Sequence, residues 1–130
     1  MTKKDLKAIG YFTDYQVSEL IHRIKNKIKG KLPLYTNKRL GFAPTIEVSC
    51  CLFGVSDDPE DPVAEFHQRL IDLPELTEEL HSRSIARQII REAQKEMVKK
   101  GCDFYRNVRH WIVPRAAVDQ ILFGNSKEEH

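Results

Sequence analysis

Residues 25–54, KNKIKGKLPLYTNKRLGFAPTIEVSCCLFG, and residues 95–124, KEMVKKGCDFYRNVRHWIVPRAAVDQILFG, carry nearly the same pattern twice. Set one above the other without a gap, they pair Lys25 with Lys95, Lys29 with Lys99, Tyr35 with Tyr105, Asn37 with Asn107 and Arg39 with Arg109. Pro44, Val48, Leu52, Phe53 and Gly54 likewise meet Pro114, Val118, Leu122, Phe123 and Gly124. The shared skeleton, Y-x-N-x-R-x4-P-x3-V-x3-LFG, marks an internal duplication. A unit of about fifty residues is smaller than the size at which large enzyme folds close. It suits a small nucleic-acid-binding module, and two in tandem imply a two-part binding site.

The segments around this skeleton give each copy the same order of elements. In the first, Thr2 to Asp5 form a capping signal before a short helix that Gly10 ends. Thr13 or Asp14 caps a second helix, in which Val17, Leu20, Ile21, Ile24 and Ile28 recur at helical spacing until Gly30. The stretch LPLYTNKRLGFAP reads as a β-hairpin turning at Asn37 and Lys38. Pro44 opens a closing helix that stops at Gly54. In the second copy, a short helix over residues 74–81, a turn at SRS and a longer helix lead to Gly101. That longer helix has Ile85, Ile89, Ile90, Ala93 and Met97 on its inner face. CDFYRNVRHWIVP and RAAVDQILFG follow as a second hairpin and closing helix. The expected fold is therefore mainly α with two short β-hairpins, an α+β chain of tandem winged helix-turn-helix repeats. The expected boundaries are 1–54 for the first module, 55–73 for an acidic linker and bridging helix, 74–124 for the second module and 125–130 for a tail. The bridging helix is read over residues 63–73, with Val63, Phe66, Leu70 and Leu73 on one side. Tyr35, Tyr105 and Trp111 read as packing aromatics, and Asn37 and Asn107 as turn residues.

Charge is distributed unevenly over the 130 residues, whose net is only +2. Residues 1–54 carry ten Lys/Arg against four Asp/Glu, residues 55–74 carry a net of −5, and residues 75–130 a net of +1. A basic first module is an electrostatic footprint for a polyanion, whereas the acidic centre argues against a nonspecific polycation. Within the long helix of the second copy, Arg83, Arg87, Arg91, Lys95 and Lys99 recur every fourth residue on one drifting stripe. No acidic residue interrupts it from Arg83 to Arg91. Like charges at that spacing repel, and a phosphate backbone or a base edge relieves the repulsion. Arg can address guanine bidentately and Gln88 can address adenine. The matching helix of the first copy bears His22, Arg23 and Lys27, and its Lys-rich surface favours phosphate contact over base reading. Arg39 and Arg109 stand at the two hairpin tips, beside Lys38 and His110.

Catalytic chemistry finds no support. The chain lacks a Gly-rich phosphate loop, H-E-x-x-H, G-x-S-x-G and metal-ligand spacing of His or Cys. A duplicated active site would repeat an acid, base or nucleophile, and the repeated residues are Lys, Tyr, Asn, Arg, Pro and apolar types. No enzymatic activity, cofactor or metal is expected. Three cysteines without CxxC spacing make no disulfide framework, and Cys50 and Cys51 read as small buried residues. With no apolar run of transmembrane length and no signal-peptide core, the expected location is cytoplasmic, without membrane association.

The N-terminal TKKDLKAIGY and the later YTNKRLGFAP resemble small proteins encoded beside integrases on conjugative transposons. The second copy, SRSIARQIIREA with FYRNVRHWIVPRAAVDQIL, resembles excisionases of the MerR-like winged-helix class. In those a recognition helix and wing precede a W-x-I-P-R/K-x-x-(V/L)-(D/E)-x-(I/L)-L stretch, here Trp111 to Leu122. The resemblance implies a recombination directionality factor that binds double-stranded DNA near the element's ends and helps a tyrosine integrase. It also leaves room for self-association on DNA, and two alternatives stay open: a transcriptional regulator of a mobile element, or a protein-interaction adaptor without DNA binding whose basic stripes meet acidic partner surfaces. It places helix contacts on Arg83, Ser84, Arg87, Gln88 and Arg91, with Lys95 further along the stripe, and wing contacts on Arg109 and His110. The first copy would use His22, Arg23, Lys27, Lys38 and Arg39.

Overall fold

The computed structural model describes residues 1–37, 39–107 and 109–124. The chain divides into two compact units, Met1–His67 and Gln68–His130. Both are mainly helical, and the one sheet among the described residues is a two-stranded antiparallel pair in the second unit, an α+β arrangement.

In the first unit, α1 (Lys3–Ala8) begins at a reciprocal cap. The Thr2 hydroxyl accepts from the Asp5 amide, and the Asp5 carboxylate accepts from the Thr2 amide. Thr13 and Gln16 repeat the device at the start of α2 (Asp14–Ile28), whose Val17, Leu20, Ile21, Ile24 and Ile28 are all buried. Such boxes satisfy amides that the first helical turn leaves unpaired. The chain then makes a 3₁₀ turn, Pro33–Thr36, that buries Tyr35. It returns to the start of the unit, where Phe42 bridges Thr2 and the Ala43 amide donates to the Met1 carbonyl at 2.9 Å. Pro44 caps α3 (Thr45–Phe53), which Gly54 ends in the left-handed region. After the acidic segment, α4 (Pro62–Arg69) sets Phe66 against Phe53, ring centroids 5.3 Å apart.

The second unit repeats this plan with a strand added at the front. β1 (Leu70–Asp72) pairs antiparallel with β2 (Ile112–Pro114), Leu70 facing Pro114 and Asp72 facing Ile112. Asp72 then caps α5 (Leu73–Leu80) in a box with Glu75. His81, at φ 55°, and Ser82 make a two-residue turn into α6 (Arg83–Lys99). A 3₁₀ turn, Asp103–Arg106, buries Phe104 and Tyr105, and Pro114 caps α7 (Arg115–Phe123). Arg115 forks onto both carboxylate oxygens of Glu79 at 3.3 and 3.2 Å, joining α7 to α5.

Four expectations need correction. The two hairpins are absent from the described residues. Each Tyr-bearing segment forms a 3₁₀ turn, and the extended residues after it pair with the segment before the unit's first helix. Pairing with a distant partner buries Ile112 and Val113, which a local hairpin would leave half solvated. The bridging helix stops at Arg69, because Leu70 and Ile71 are taken into the sheet and Asp72 caps the next helix. Ile85 is 52% exposed and Ala86 is buried in its place on the inner face of α6. Cys50 and Cys51 are half-buried, and the Cys50 thiol lies 3.1 Å from the Ser56 hydroxyl.

The duplication holds, with one change of register. The 3₁₀ turns and the capping prolines Pro44 and Pro114 are 70 residues apart. Within the long helices the offset is 69. The caps are Thr13 and Ser82, and the buried series Val17, Leu20, Ile21, Ile24, Ile28 matches Ala86, Ile89, Ile90, Ala93, Met97. One residue turns a helix by about 100°, so the ungapped pairs Lys25/Lys95 and Lys29/Lys99 do not occupy equivalent places. Lys25 is equivalent to Gln94, and His22 to Arg91.

Candidate nucleic-acid interface

α6 starts with an electrostatic anomaly. Its Ser82 cap accepts the Ile85 amide at 3.3 Å, but its first turn holds Arg83 and no acidic residue. The partial positive charge at a helix N-terminus favours carboxylates there and disfavours cations. Arg83, Ser84, Arg87 and Gln88 are all exposed on this N-terminal half. Among the described residues, Arg83, Arg87 and Lys95 form no ion pair. At 100° per residue, Arg83, Arg91 and Gln94 lie about −40°, +40° and −20° from Arg87, so all four share one face.

The loop after Asn107 covers the C-terminal part of that face. Gln94, only 3% exposed, donates to the carbonyls of His110 at 2.7 Å and Ile112 at 3.1 Å. Its own oxygen accepts from Arg91 Nη1 at 2.9 Å, and the same nitrogen reaches the His110 carbonyl at 3.4 Å. These bonds bring Trp111 under two guanidinium groups. The Arg91 carbon lies 3.6 Å from the indole centroid and the Arg87 carbon 5.2 Å. Burial, and secondarily the Arg87 charge, lower the Arg91 pKa from its ordinary value. Past Arg91 the stripe becomes the wall of an open groove of about 440 Å³, lined by Lys95, Val98, Lys99, Tyr105 and Arg106. Lys99 and Arg106 are engaged there by Glu96 at 3.1 Å and Asp103 at 2.9 Å.

At the loop tips the two asparagines do the same work. Asn37 Oδ1 accepts from the Arg39 amide, and Asn107 Oδ1 from the Arg109 amide, each at 2.9 Å. That is a side-chain-closed turn, and it leaves Arg39 and Arg109 exposed. His110 is a correction. It is 1% exposed and stacked on Phe104 at 4.5 Å, so its imidazole belongs to the interior and not to a contact surface.

The first unit presents a different surface. With the register corrected, the places of Arg83, Arg87, Arg91 and Lys95 are taken by Asp14, Ser18, His22 and Asn26. The His22 ring lies 3.0 Å from the Asn26 amide. Arg23 pairs with Glu19 at 3.4 Å, and Lys27 with Glu47 at 3.2 Å. Lys25 ties down the loop, donating to the carbonyls of Asn37 at 2.6 Å and Leu40 at 2.9 Å. Lys38 lies outside the described residues. The structure thus clusters Arg83, Ser84, Arg87, Gln88 and Arg91, with Arg91 beside the loop that ends in Arg109. It does not build the same face from His22, Arg23 and Lys27. Sequence reasoning missed Trp111 as the seat of two arginines and Gln94 as the loop anchor. The only signal for Gln94 was one amide interrupting the apolar stripe between Ile90 and Met97.

No described group of His, Cys, Asp and Glu residues could hold a metal ion, and no described helix is long and apolar enough to cross a membrane. Residues 74–124 match the model of a family described as a domain of unknown function (DUF3173). That match runs from inside α5 to the glycine after α7. No curated protein and no solved structure matches the chain.

Proposed function

We propose that the protein is a cytoplasmic double-stranded DNA-binding accessory factor, excisionase-like in role, that assists an integrase in moving a genetic element. In this reading the second unit is a variant winged helix-turn-helix. α5 and α6 form the helix pair, and the loop carrying Arg109 takes the position of the wing. The observation that carries it is the shared face of exposed Arg83 and Arg87 and half-buried Arg91, three cations without an intervening carboxylate on the helix that follows a tight turn. Recognition helices contact base edges through their N-terminal residues, and Arg83, Ser84, Arg87 and Gln88 occupy that half. The excisionase role leans on the Trp111 to Leu122 motif. The integrase contact and self-association along DNA are part of the same proposal. With Asp14, Ser18, His22 and Asn26 on the equivalent face, the first unit contributes through Arg39 and its Lys-rich edges, without a second arginine ladder.

The test is a salt series of binding to a random duplex and to duplexes from the ends of the parent element. Binding should weaken with salt at a log–log slope of about −0.9 per phosphate neutralised. Tighter binding at the ends supports the excisionase role, and footprints at promoters would replace it with transcriptional regulation. Unchanged affinity in the Arg83→Ala plus Arg87→Ala variant would remove α6 from the interface.

A further inference from the structure

Resting on the DNA-binding reading above, we infer that Arg87, Trp111 and Arg91 form a seat for one backbone phosphodiester, and that base reading is left to Arg83, Ser84 and Gln88. Three features separate a phosphate seat from a base-reading pair. First, a side chain that reads a base edge has to project from its helix into the groove. The Arg91 guanidinium instead lies against the indole at 3.6 Å, and its Nη1 is turned to Gln94 and His110. It is anchored at the protein surface, where a strand's backbone passes.

Second, Arg87 brings an uncompensated charge to the site. Two guanidiniums face one indole, and among the described residues Arg87 forms no ion pair. An aromatic face attracts a cation through its quadrupole but does not neutralise it. A neutral base edge offers at most acceptors without a charge, whereas a phosphodiester supplies acceptors and a full charge. The exposed Arg87 provides a planar fork suited to two phosphate oxygens, and the fixed Arg91 charge stands beside it.

Third, the seat spans two elements. Trp111 follows His110, whose carbonyl accepts from both Gln94 and Arg91. The indole and the guanidinium are therefore fixed by the same bonds, and helix and loop present their cations as one body. Trp111 is a positioning residue, acting through Arg87 and Arg91. The first unit lacks every part of this seat, having Ser18, His22 and Gly41 at the equivalent places.

The experiment compares a duplex selected from a random pool by the unmodified protein with a scrambled duplex. Arg87→Ala and Arg91→Ala are each expected to weaken both duplexes by the same factor, about tenfold. Each should also lower the salt slope, and replacing both should lower it by about 0.9 in all, because the two arginines share one phosphate. Trp111→Leu should reproduce the Arg91→Ala result, and Trp111→Phe, which keeps an aromatic face, should restore most of the binding. Gln88→Ala should change discrimination between the duplexes and leave the slope alone. A loss confined to the selected duplex, or an unchanged slope in both arginine variants, would assign these arginines to bases and overturn the seat. Arg87 is exposed, so its variant keeps the test standing even if Trp111→Leu or Arg91→Ala fails to fold. If the protein binds neither duplex, the DNA reading fails, and inorganic pyrophosphate then probes the seat alone. Trp111 is the single tryptophan of the chain, so a change in its emission that Arg87→Ala abolishes would keep the seat as an anion site. No change in emission would end it.

Discussion

Replacing Gln94 by Ala should unfasten the loop that carries Trp111, and the cost follows from its bonds. The side chain donates to two backbone carbonyls, at 2.7 and 3.1 Å, and accepts from Arg91 at 2.9 Å. A buried carbonyl left without its donor costs about 1–3 kcal/mol. The His110 carbonyl keeps its 3.4 Å contact with Arg91 but loses its 2.7 Å bond, and the Ile112 carbonyl loses its bond to this side chain. Allowing for partial entry of water, the total is about 2–4 kcal/mol, set against a whole-protein stability of roughly 5–15 kcal/mol. For a chain of this size that is a fall in melting temperature of about 10 °C. Gln94→Lys should not recover the loss: an ammonium could donate to the carbonyls as Lys25 does in the first unit, but it would be buried beside Arg91, repel it and offer it no acceptor. The assay is thermal unfolding followed by circular dichroism and by the emission of Trp111, which sits on the loop in question. A Gln94→Ala protein melting within about 2 °C of the unmodified chain, a shift worth under about 0.5 kcal/mol, would refute the claim that this amide holds the loop.

Other expectations follow from single contacts. Asn107→Ala should cost about 1 kcal/mol by opening the turn that its side chain closes on Arg109, while Asn107→Asp, which keeps the acceptor, should cost little; urea unfolding of both variants checks this. Gly101 sits at φ +98° with nothing within 4 Å of an added Cβ. Gly101→Ala should therefore destabilise by about 1–2 kcal/mol through backbone strain alone, and an unchanged urea midpoint would contradict it. The carboxylates of the two helix caps should titrate on opposite sides of the ordinary range. Hydrogen bonds from Thr2 hold Asp5 low, whereas burial pushes Asp72 up. A lowered pKa adds stability above the ordinary range that is lost as pH falls through the folded value; a raised one adds stability below that range that is lost as pH rises. Carboxyl-carbon NMR titration distinguishes the two, and a common midpoint would show that the caps do not differ in this way.

Local signals read correctly where the chain's own chemistry decides the outcome. Thr2 with Asp5, the Thr13–Asp14 pair, the SRS step at 82–84, and the prolines at 44 and 114 all mark helix starts in the sequence, because a cap is an agreement between residues at most a few positions apart; that Thr13 is the cap, in a box with Gln16, is settled only in the fold. The failures are of tertiary origin. LPLYTNKRLGFAP and CDFYRNVRHWIVP have the alternation of hairpin arms, but their extended residues find partners about forty positions upstream, which no local pattern announces. Leu70 and Ile71 continue a helical apolar series and are nevertheless drawn into the sheet opposite Val113 and Pro114. In the candidate interface, the charge ladder of α6 was legible from its four-residue period. The burial of His110 was not, since it depends on Phe104 being folded back beside it. Nor was the change of register legible, because the shared lysines at 25 and 95 and at 29 and 99 masked a one-residue offset.

That offset changes what the duplication means. With the helices aligned by their buried faces, three positions differ together between the units: Gln94, Arg91 and Trp111 in the second, Lys25, His22 and Gly41 in the first. The differences are chemically linked. An amide is neutral and has both donors and an acceptor, so it can be fully buried while fastening the loop and still receive a bond from Arg91. An ammonium donates only, requires solvation, and repels a guanidinium one turn away. A lysine as loop anchor is therefore compatible with an imidazole at the neighbouring position and poorly compatible with an arginine. Without the arginine, an indole at the loop position would have no cation to hold, and the glycine there instead lets the Lys3 side chain pack within 3.4 Å of where a Cβ would be. The choice of anchor thus decides whether a unit can support paired guanidiniums over an aromatic face. The two copies keep one scaffold, and the exchange of an amide for an ammonium at its centre separates a unit able to concentrate positive charge from one that disperses it.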